Sequence, residues 1–483
     1  MRKPTILIAD NDADYRRSLS ALMSQAGYQT EEAGSVAEAR GILAAVDIDL
    51  ALIDLRLTDD SPSDFSGLAV VEALRPRDSG TLWVLLTAFD GVPVRALQEL
   101  SPYIRRREET WLWPKLSSGE DLLRLVQALL SPTILHLSDL HFGPRGSYEP
   151  TLEKLCLDVR DLRAEFGVRP TVVVVTGDIA HQSLRGTYGP ARHFLLALAS
   201  KIGVPSERLV LVPGNHDVDR TAAREECRNL AARGAAAQDL ETGALLARFK
   251  RYHQFHNSFY QHLRRRLGSR RLFDIVDLHE WGMLMVAFNS CLGERPDPED
   301  YVSGWLSRGE IGSEQLRAAI SELRETRDRL HRQGHLRPLL YVAAFHHHCP
   351  LSANPAGDEG YLRDFEQLQA SFASAHLAPL AILHGHAHRT FPYAAVQLGA
   401  EPVLVFATGS AGLGAQQRTT QYTIIQFRIA PRWQSRLFLR RYEPTAKRPD
   451  DVTEGAWVAD HQSIRTADIN GIVHFPLQFP AAT

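Results

Sequence analysis

The sequence predicts two α/β regions in tandem: a doubly wound parallel sheet in the first 131 residues, then a larger two-sheet sandwich flanked by helices, four layers in all. Two observations carry this reading. In the first region short β-rich runs alternate with amphipathic helical ones, the pattern of a parallel sheet. In the second, Asp, Asn and His recur directly after apolar runs, where open α/β sheets place their sites.

At 483 residues the chain is too long for one ordinary core. Its 54 basic and 57 acidic residues nearly cancel, so no global field draws it to nucleic acid or to an anionic membrane. Cys156, Cys227, Cys291 and Cys349 are isolated, without a paired or framework spacing, which fits a reducing compartment. The apolar run after Arg2 and Lys3 stops at Asp10, too early for a signal-peptide core. No stretch approaches the roughly 20 apolar residues that span a bilayer. The expectation is a soluble cytoplasmic protein.

In residues 1–131 the β-rich runs Thr5–Ala9, Leu50–Leu55 and Leu82–Thr87 are separated by helical ones, the first with Leu19, Leu22 and Met23 on one face. Polar residues fall where the runs end: Asp10, Asn11 and Asp12, then Asp54, Thr87 and later Lys115. An acidic cluster can hold Mg²⁺ beside a carboxylate that accepts a phosphoryl group. On these residues the segment resembles a response-regulator receiver domain, a flavodoxin-like fold. The resemblance implies Asp54 as phosphoacceptor, Asp10 and its neighbour Asn11 as the Mg²⁺ site, Thr87 as switch hydroxyl and Lys115 as paired cation, with a histidine kinase or another phosphodonor as partner. The sequence departs from the family pattern in having Asn11 where a second acid is usual and Leu116 where a Pro is expected.

The last helix of this region, Asp121 to Leu130, runs through Ser131-Pro132 into the next strand without a Gly/Ser linker, so the two domains are expected to pack. From residue 132 onward, four blocks each follow a buried β-like run: Asp139-Leu140-His141, Gly177-Asp178, Gly214-Asn215-His216-Asp217 and Gly385-His386-Ala387-His388. A fifth, His346-His347-His348, follows Ala343-Ala344-Phe345. Hard carboxylate and amide oxygens mixed with imidazole nitrogens suit a pair of divalent transition ions. Gly177, Gly214 and Gly385 allow sharp turns beside them.

This ordered set resembles the calcineurin-like metallophosphoesterase superfamily. The resemblance implies one ion (Mn, Fe or Zn) on Asp139, His141, Asp178 and His388 and a second on Asp178, Asn215, His346 and His386, with Asp178 bridging. His346 directly follows its strand, and His347 is the alternative. His216 would serve the leaving oxygen. Asp217 would orient His216 or cap the next helix. His136 and His384, inside apolar runs, read as core histidines; His181 reads as a surface residue.

The metallophosphoesterase domain is expected over 132–444, with a helical cap insert at about 221–275 whose Leu245, Phe249, Tyr252, Phe255, Phe259 and Leu263 form one apolar face. Arg264–Arg266, Arg270 and Arg271 would line a substrate entrance or complete a solvated helix end. Asn289 and Ser290 are further candidates. The extension 445–483 is expected to add a strand or hairpin to this domain. The runs Leu135–Phe142 and Pro213–Arg220 are similar to the cyclic-nucleotide phosphodiesterase group. The favoured expectation is a receiver-regulated, two-metal phosphodiesterase acting on a small phosphodiester such as a cyclic nucleotide. The rivals are a nuclease, which the Arg-rich insert favours and the neutral charge does not, and a non-catalytic signalling scaffold.

Overall fold

The computed structural model describes residues 4–46, 48–58, 64–74, 82–87, 110–115, 117–130, 132–143, 149–166, 168–183, 186–261, 263, 265–268, 271–297, 300–333, 339–350, 360–388, 390–395, 403–412, 420–428, 434–446, 455–462, 464 and 467–476. The chain divides into two compact units, one of Met1–Pro132 with Cys156–Arg169, the other of Thr133–Leu155 with Pro170–Thr483.

The first unit contains β1 (Thr5–Ala9), β2 (Gln29–Ala33), β3 (Leu50–Asp54), β4 (Leu82–Thr87) and β5 (Thr110–Pro114), in the order β2-β1-β3-β4-β5. All four pairings are parallel. β1, β3 and β4 are buried along their whole length, as continuous Ile/Leu/Val runs demand when helices cover both faces. Helices start where the side chain of Asp12, Ser35 or Ser118 accepts a backbone N–H of the first turn.

The second unit holds two mixed sheets. One comprises β6 (Thr133–Leu137), β7 (Val172–Thr176), β8 (Leu209–Val212), β17 (Gln421–Arg428), β18 (Gln434–Glu443), β19 (Ala456–Ala459) and β20 (Ile472–Pro476), in the order β19-β18-β17-β6-β7-β8 with β20 also on β18. The other comprises β9 (Phe273–Leu278), β10 (Met283–Phe288), β13 (Leu340–Ala344), β14 (Leu380–His384), β15 (Phe391–Ala395) and β16 (Val403–Ala407), in the order β15-β16-β14-β13-β10-β9. β11 (Arg295–Asp297) and β12 (Asp300–Leu306) form a separate hairpin.

Within each sheet the central strands run parallel: β6, β7 and β8 in one, β10, β13, β14 and β16 in the other. Their carboxyl ends therefore fall along one edge of each sheet. Hydrogen bonds join the two edges: Ala411 N donates to Ser138 O at 2.8 Å and His346 Nδ1 to Thr176 O at 2.8 Å. Lower in the interface, Phe406 meets Phe427 edge-on with ring centroids 5.9 Å apart.

The insert after β8 is a pair of helices, Arg220–Ala232 and Ala237–Phe259. Phe249, Tyr252, Phe255 and Phe259 of the second are buried. Of the arginines following it, Arg266 is exposed, whereas two others are paired internally. Arg265 pairs with buried Asp274 and lies over the Tyr260 ring, and Arg271 pairs with Glu322 and lies over Phe273. Arg264 and Arg270 lie outside the described residues.

Removing a ring from the sheet interface should cost about 3–5 kcal/mol. Phe427→Ala, at a site with no solvent exposure, is expected to lower the unfolding free energy of the second unit by that amount, read as a lower urea midpoint at unchanged slope in intrinsic fluorescence.

Candidate metal centre

Each predicted block occupies the first residues after a parallel strand. Asp139 and His141 follow β6, Asp178 follows β7, Asn215 and His216 follow β8, His346 follows β13, and His386 and His388 follow β14. The turn out of each strand is tight, and five of these residues have positive φ: Asp139 54°, His141 50°, Asp178 50°, His386 66° and His388 50°. Such left-handed conformations in non-glycine residues cost on the order of 1–3 kcal/mol each and persist only where the surroundings impose them. Neighbouring backbone supplies the constraint. Asp139 N donates to Gly177 O, His141 N to Asp178 O, His386 N to Asp139 Oδ2 at 3.1 Å and His216 N to Asp178 Oδ1 at 2.8 Å. A Cβ on Gly214 would overlap Asp178, and one on Gly385 would overlap Ser138 Oγ.

The side chains converge in two overlapping groups. Asp139, His141 and His388 present ligand atoms within 4.8 Å of one another, as do Asp139, Asp178 and His346. Asp139 Oδ1 lies 3.7 Å from His388 Nε2 and 3.9 Å from His141 Nε2; Asp178 Oδ2 lies 3.8 Å from His141 Nε2, and Asp178 Oδ1 3.5 Å from His346 Nε2. These separations are long for hydrogen bonds. They are near the ~3.4 Å expected between two ligand atoms each about 2.1 Å from a shared ion.

A second observation tests the fit to a cation. His346 Nδ1 faces Thr176 O, a carbonyl that can only accept, so Nδ1 carries the proton. Burial lowers the imidazole's pKa, which leaves Nε2 a bare lone pair. That lone pair faces Asn215 Oδ1 at 2.9 Å and His386 Nδ1 at 3.0 Å, beside Asp178 Oδ1. Asp139 Oδ1, which faces His141 Nε2 and His388 Nε2, is buried without a hydrogen-bond partner. The donor set fits divalent transition ions.

The two carboxylates titrate in opposite directions. Burial and the neighbouring charges of Asp139 and Asp217 push Asp178 well above the ordinary carboxylate range. Burial also acts upward on Asp139, but His346 and His388 outweigh it and hold the group below its usual value. Burial, reinforced by adjacent imidazoles, lowers His141 to about 4 and His216 to about 3.

Of the alternatives His346 and His347, His346 joins the cluster. His347 turns away, with Nδ1 2.9 Å from Ser290 Oγ. Asn289 accepts from Cys291 N and is not among the converging side chains. His136 bonds Thr176 Oγ1 at 2.9 Å, and the buried His384 bonds Gly385 O at 3.1 Å.

Asp217 corrects the sequence-based expectation: it neither orients His216 nor caps the next helix. Its buried carboxylate accepts from Ile179 N, Ala180 N, Gly214 N and Tyr188 OH at 2.9–3.0 Å, so it ties the loop carrying Asp178 to the loop carrying Asn215. The helix cap is Asp219, which accepts from Ala222 N.

His181 is exposed, as expected of a surface residue, and it also borders the centre: its ligand atom groups with those of His141 and His216, and its ring stacks on His216 at 5.4 Å. Its place three residues after Asp178 was the only signal in the sequence.

In the receiver unit Asp10, Asp54 and Thr87 are buried at the ends of β1, β3 and β4. Lys115 Nζ bridges the two acids, 2.8 Å from Asp10 and 2.7 Å from Asp54, and its backbone N donates to Thr87 O. Burial raises the Asp54 carboxyl's pKa against the pull of Lys115. Asn11 is half-buried next to Asp10.

The fold and site define a receiver unit joined to a calcineurin-like phosphoesterase domain, and comparison with known proteins gives the same two families. The calcineurin-like phosphoesterase family matches residues 132–390, and the chain belongs to that family. The response regulator receiver domain family matches residues 6–99. Curated relatives include the photosynthetic apparatus regulatory protein RegA of Rhodovulum sulfidophilum, 36% identical over 18% of this chain and 46% of the relative. The acid tolerance regulatory protein ActR of Rhizobium meliloti is 38% identical over 18% of this chain and 43% of the relative. The chain thus spans less than half the length of these relatives. Solved structures similar to it include a CheY-like receiver domain from Methanospirillum hungatei JF-1, 23% identical, covering 26% of this chain and 92% of that one at a TM-score of 0.22. No helix among the described residues is long and apolar enough to cross a membrane.

The neutral imidazole cluster sets a pH dependence. Eight histidines, 136, 141, 216, 253, 346, 347, 384 and 386, have folded pKa values below 6.5. Between about pH 6.5 and 4 the unfolded chain therefore binds more protons, and stability is full above that window and lost as pH falls through it. Asp54, Asp178 and Asp217, raised by burial, act in the opposite sense, but they are three groups against eight. The metal-free protein is expected to show a melting temperature that drops steeply across the window; a flat profile in scanning calorimetry would contradict the neutral cluster.

Proposed function

We propose that the protein is a cytoplasmic phosphodiesterase in which Asp139, His141, Asp178 and His388 hold one divalent transition ion (Mn²⁺, Fe²⁺ or Zn²⁺) and Asp178, Asn215, His346 and His386 hold another. The observation that carries this reading is the buried lone pair of His346 Nε2, which faces the Asn215 oxygen, His386 Nδ1 and Asp178 while its own ring proton is held by Thr176 O. Bound ions would offset the charge of the ester oxygens and supply a nucleophile at neutral pH.

The chain's own residues do the rest. The burial of Asp139, Asp178 and His346 excludes water and strengthens every charge interaction there. Asn215 contributes an oxygen without adding charge. The His216 ring is half-buried, packed against the rings of His141 and His181, while its backbone N–H is held by Asp178. It donates a ring N–H to the leaving oxygen as charge develops. Asp217 keeps the two strand-end loops in register for this.

A small phosphodiester, such as a cyclic nucleotide, is the substrate class we favour. The near-neutral chain lacks the overall basic charge usual in nucleic-acid binders, and Arg265 and Arg271 are paired with Asp274 and Glu322. Turnover of cyclic AMP, bis-p-nitrophenyl phosphate and single-stranded DNA should separate the readings: the small diesters are expected to be cleaved, and activity on DNA alone would overturn the substrate class. Asp178→Asn is expected to lower kcat by roughly 10³-fold or more with the circular dichroism spectrum unchanged.

Asp54, with Mg²⁺ at Asp10 and Asn11, Thr87 as switch and Lys115 as counter-cation, is the proposed phosphoacceptor, served by a histidine kinase or another phosphodonor. RegA and ActR are named as regulatory proteins, in keeping with a signalling input. Acetyl phosphate should change the turnover of the wild type and leave that of Asp54→Asn unaltered; an equal response in both would remove Asp54 from the regulation.

A further inference from the structure

The carboxyl-terminal extension carries no residue of the ligand blocks, yet one of its side chains is inserted behind them. Asp460, directly after β19, is 1% exposed. Its Oδ2 accepts from Gln421 Nε2 at 2.6 Å. Gln421, the first residue of β17 and itself buried, turns its other amide atom to the metal loops: Oε1 accepts from Thr390 N at 3.3 Å. Thr390 lies two residues beyond His388, and its hydroxyl accepts from Gly409 N at 2.9 Å. Gln421 N in turn donates to Ser410 O, and Ser410 Oγ donates to the backbone carbonyl of Asp139 at 2.9 Å. Gly409 has no room for a side chain, because a Cβ there would overlap the Gln421 amide, and a Cβ on Gly412 would overlap Asp139 O.

A continuous chain of buried hydrogen bonds therefore links Asp460 to the backbone carbonyl of Asp139 and to Thr390, two residues beyond His388, and Asp139 and His388 are assigned above to the same ion. The amide of Gln421 is fixed in one orientation by this arrangement. A carboxylate at 460 demands the NH₂ group, which leaves the oxygen for Thr390 N–H. Without Asp460 the amide could rotate and place a donor against a donor, and a partly satisfied buried network is costly.

We propose that Asp460 is a positioning residue for the metal centre: through Gln421, Thr390 and Ser410 it sets the loops that present Asp139 and His388, so that the extension completes the ion site these two share. This rests on the two-ion reading given above. Groups that orient ligands in this indirect way typically change metal affinity by roughly 10–100-fold when removed. The effect should fall mainly on one ion, because His346 of the other has its own contacts to Thr176 and Asn215.

The test is Mn²⁺ titration of the metal-stripped full chain, followed by native mass spectrometry and by the electron paramagnetic resonance signal of a coupled ion pair. Wild type is expected to hold two ions and show the coupled signal. Asp460→Ala should bind one ion as wild type does and the other at least tenfold more weakly, with the spectrum of a single uncoupled ion. Gln421→Glu, which sets carboxylate against carboxylate, should behave likewise. The double variant Gln421→Glu/Asp460→Asn restores one donor and one acceptor with the polarity reversed, and should recover the second ion. Two ions at wild-type affinity in Asp460→Ala, or no recovery in the double variant, overturns the proposal. If Asp460→Ala does not fold, the comparison of Gln421→Glu with the double variant decides. Failure of wild type to hold two ions would instead sink the underlying two-ion reading, and the Asp178→Asn variant, expected to lose the coupled signal whatever stands at 460, marks that difference.

Discussion

Two carboxylates with almost no access to water, Asp139 and Asp178, stand within reach of one another beside the imidazoles of His141 and His346, whose pKa values burial lowers. Left to themselves, such groups repel, and each pays a desolvation penalty of several kcal/mol. The second unit is built to compel their approach. Parallel strands in two sheets bring their carboxyl ends to a common edge, glycines remove the Cβ atoms that would block it, and backbone N–H groups of one loop bond the carboxylates of another. Asp217 is the clearest example, a buried acid whose four hydrogen bonds all serve to fasten loops.

The receiver solves a smaller version of the same problem with its own cation. Lys115 lies within hydrogen-bond distance of both Asp10 and Asp54. That arrangement neutralises part of the acidic cluster, while Asn11, where a second acid is usual, reduces the charge to be neutralised. The Asp54 carboxylate stays at the end of its strand, buried and held by Lys115.

Much of this was legible in the sequence because strand-end sites announce themselves locally. An apolar run of four or five residues followed at once by Asp139, Asp178, Asn215 or His386 encodes both the strand and the group it delivers. What could not be read depends on partners distant along the chain. Asp217 looks like a cap until Ile179, Ala180 and Tyr188 are seen around it. Arg265 and Arg271 look like an open basic patch until Asp274 and Glu322 are placed against them. Asp460 lies in a tail with no motif, and only the register of β18 with β19 brings it beneath Gln421. The choice between His346 and His347 was settled by a serine, Ser290, that fastens one ring away from the centre.

The five left-handed residues of the centre have a bearing on how it could be altered. Aspartate, asparagine and histidine tolerate that backbone region several-fold better than most side chains, and they are also the residues that metal coordination selects. Chemistry and chain geometry therefore restrict the same positions to nearly the same short alphabet. An alanine scan of 139, 141, 178, 386 and 388 would conflate a missing ligand with a reluctant turn, whereas exchanges among Asp, Asn, His and Gly would separate the two.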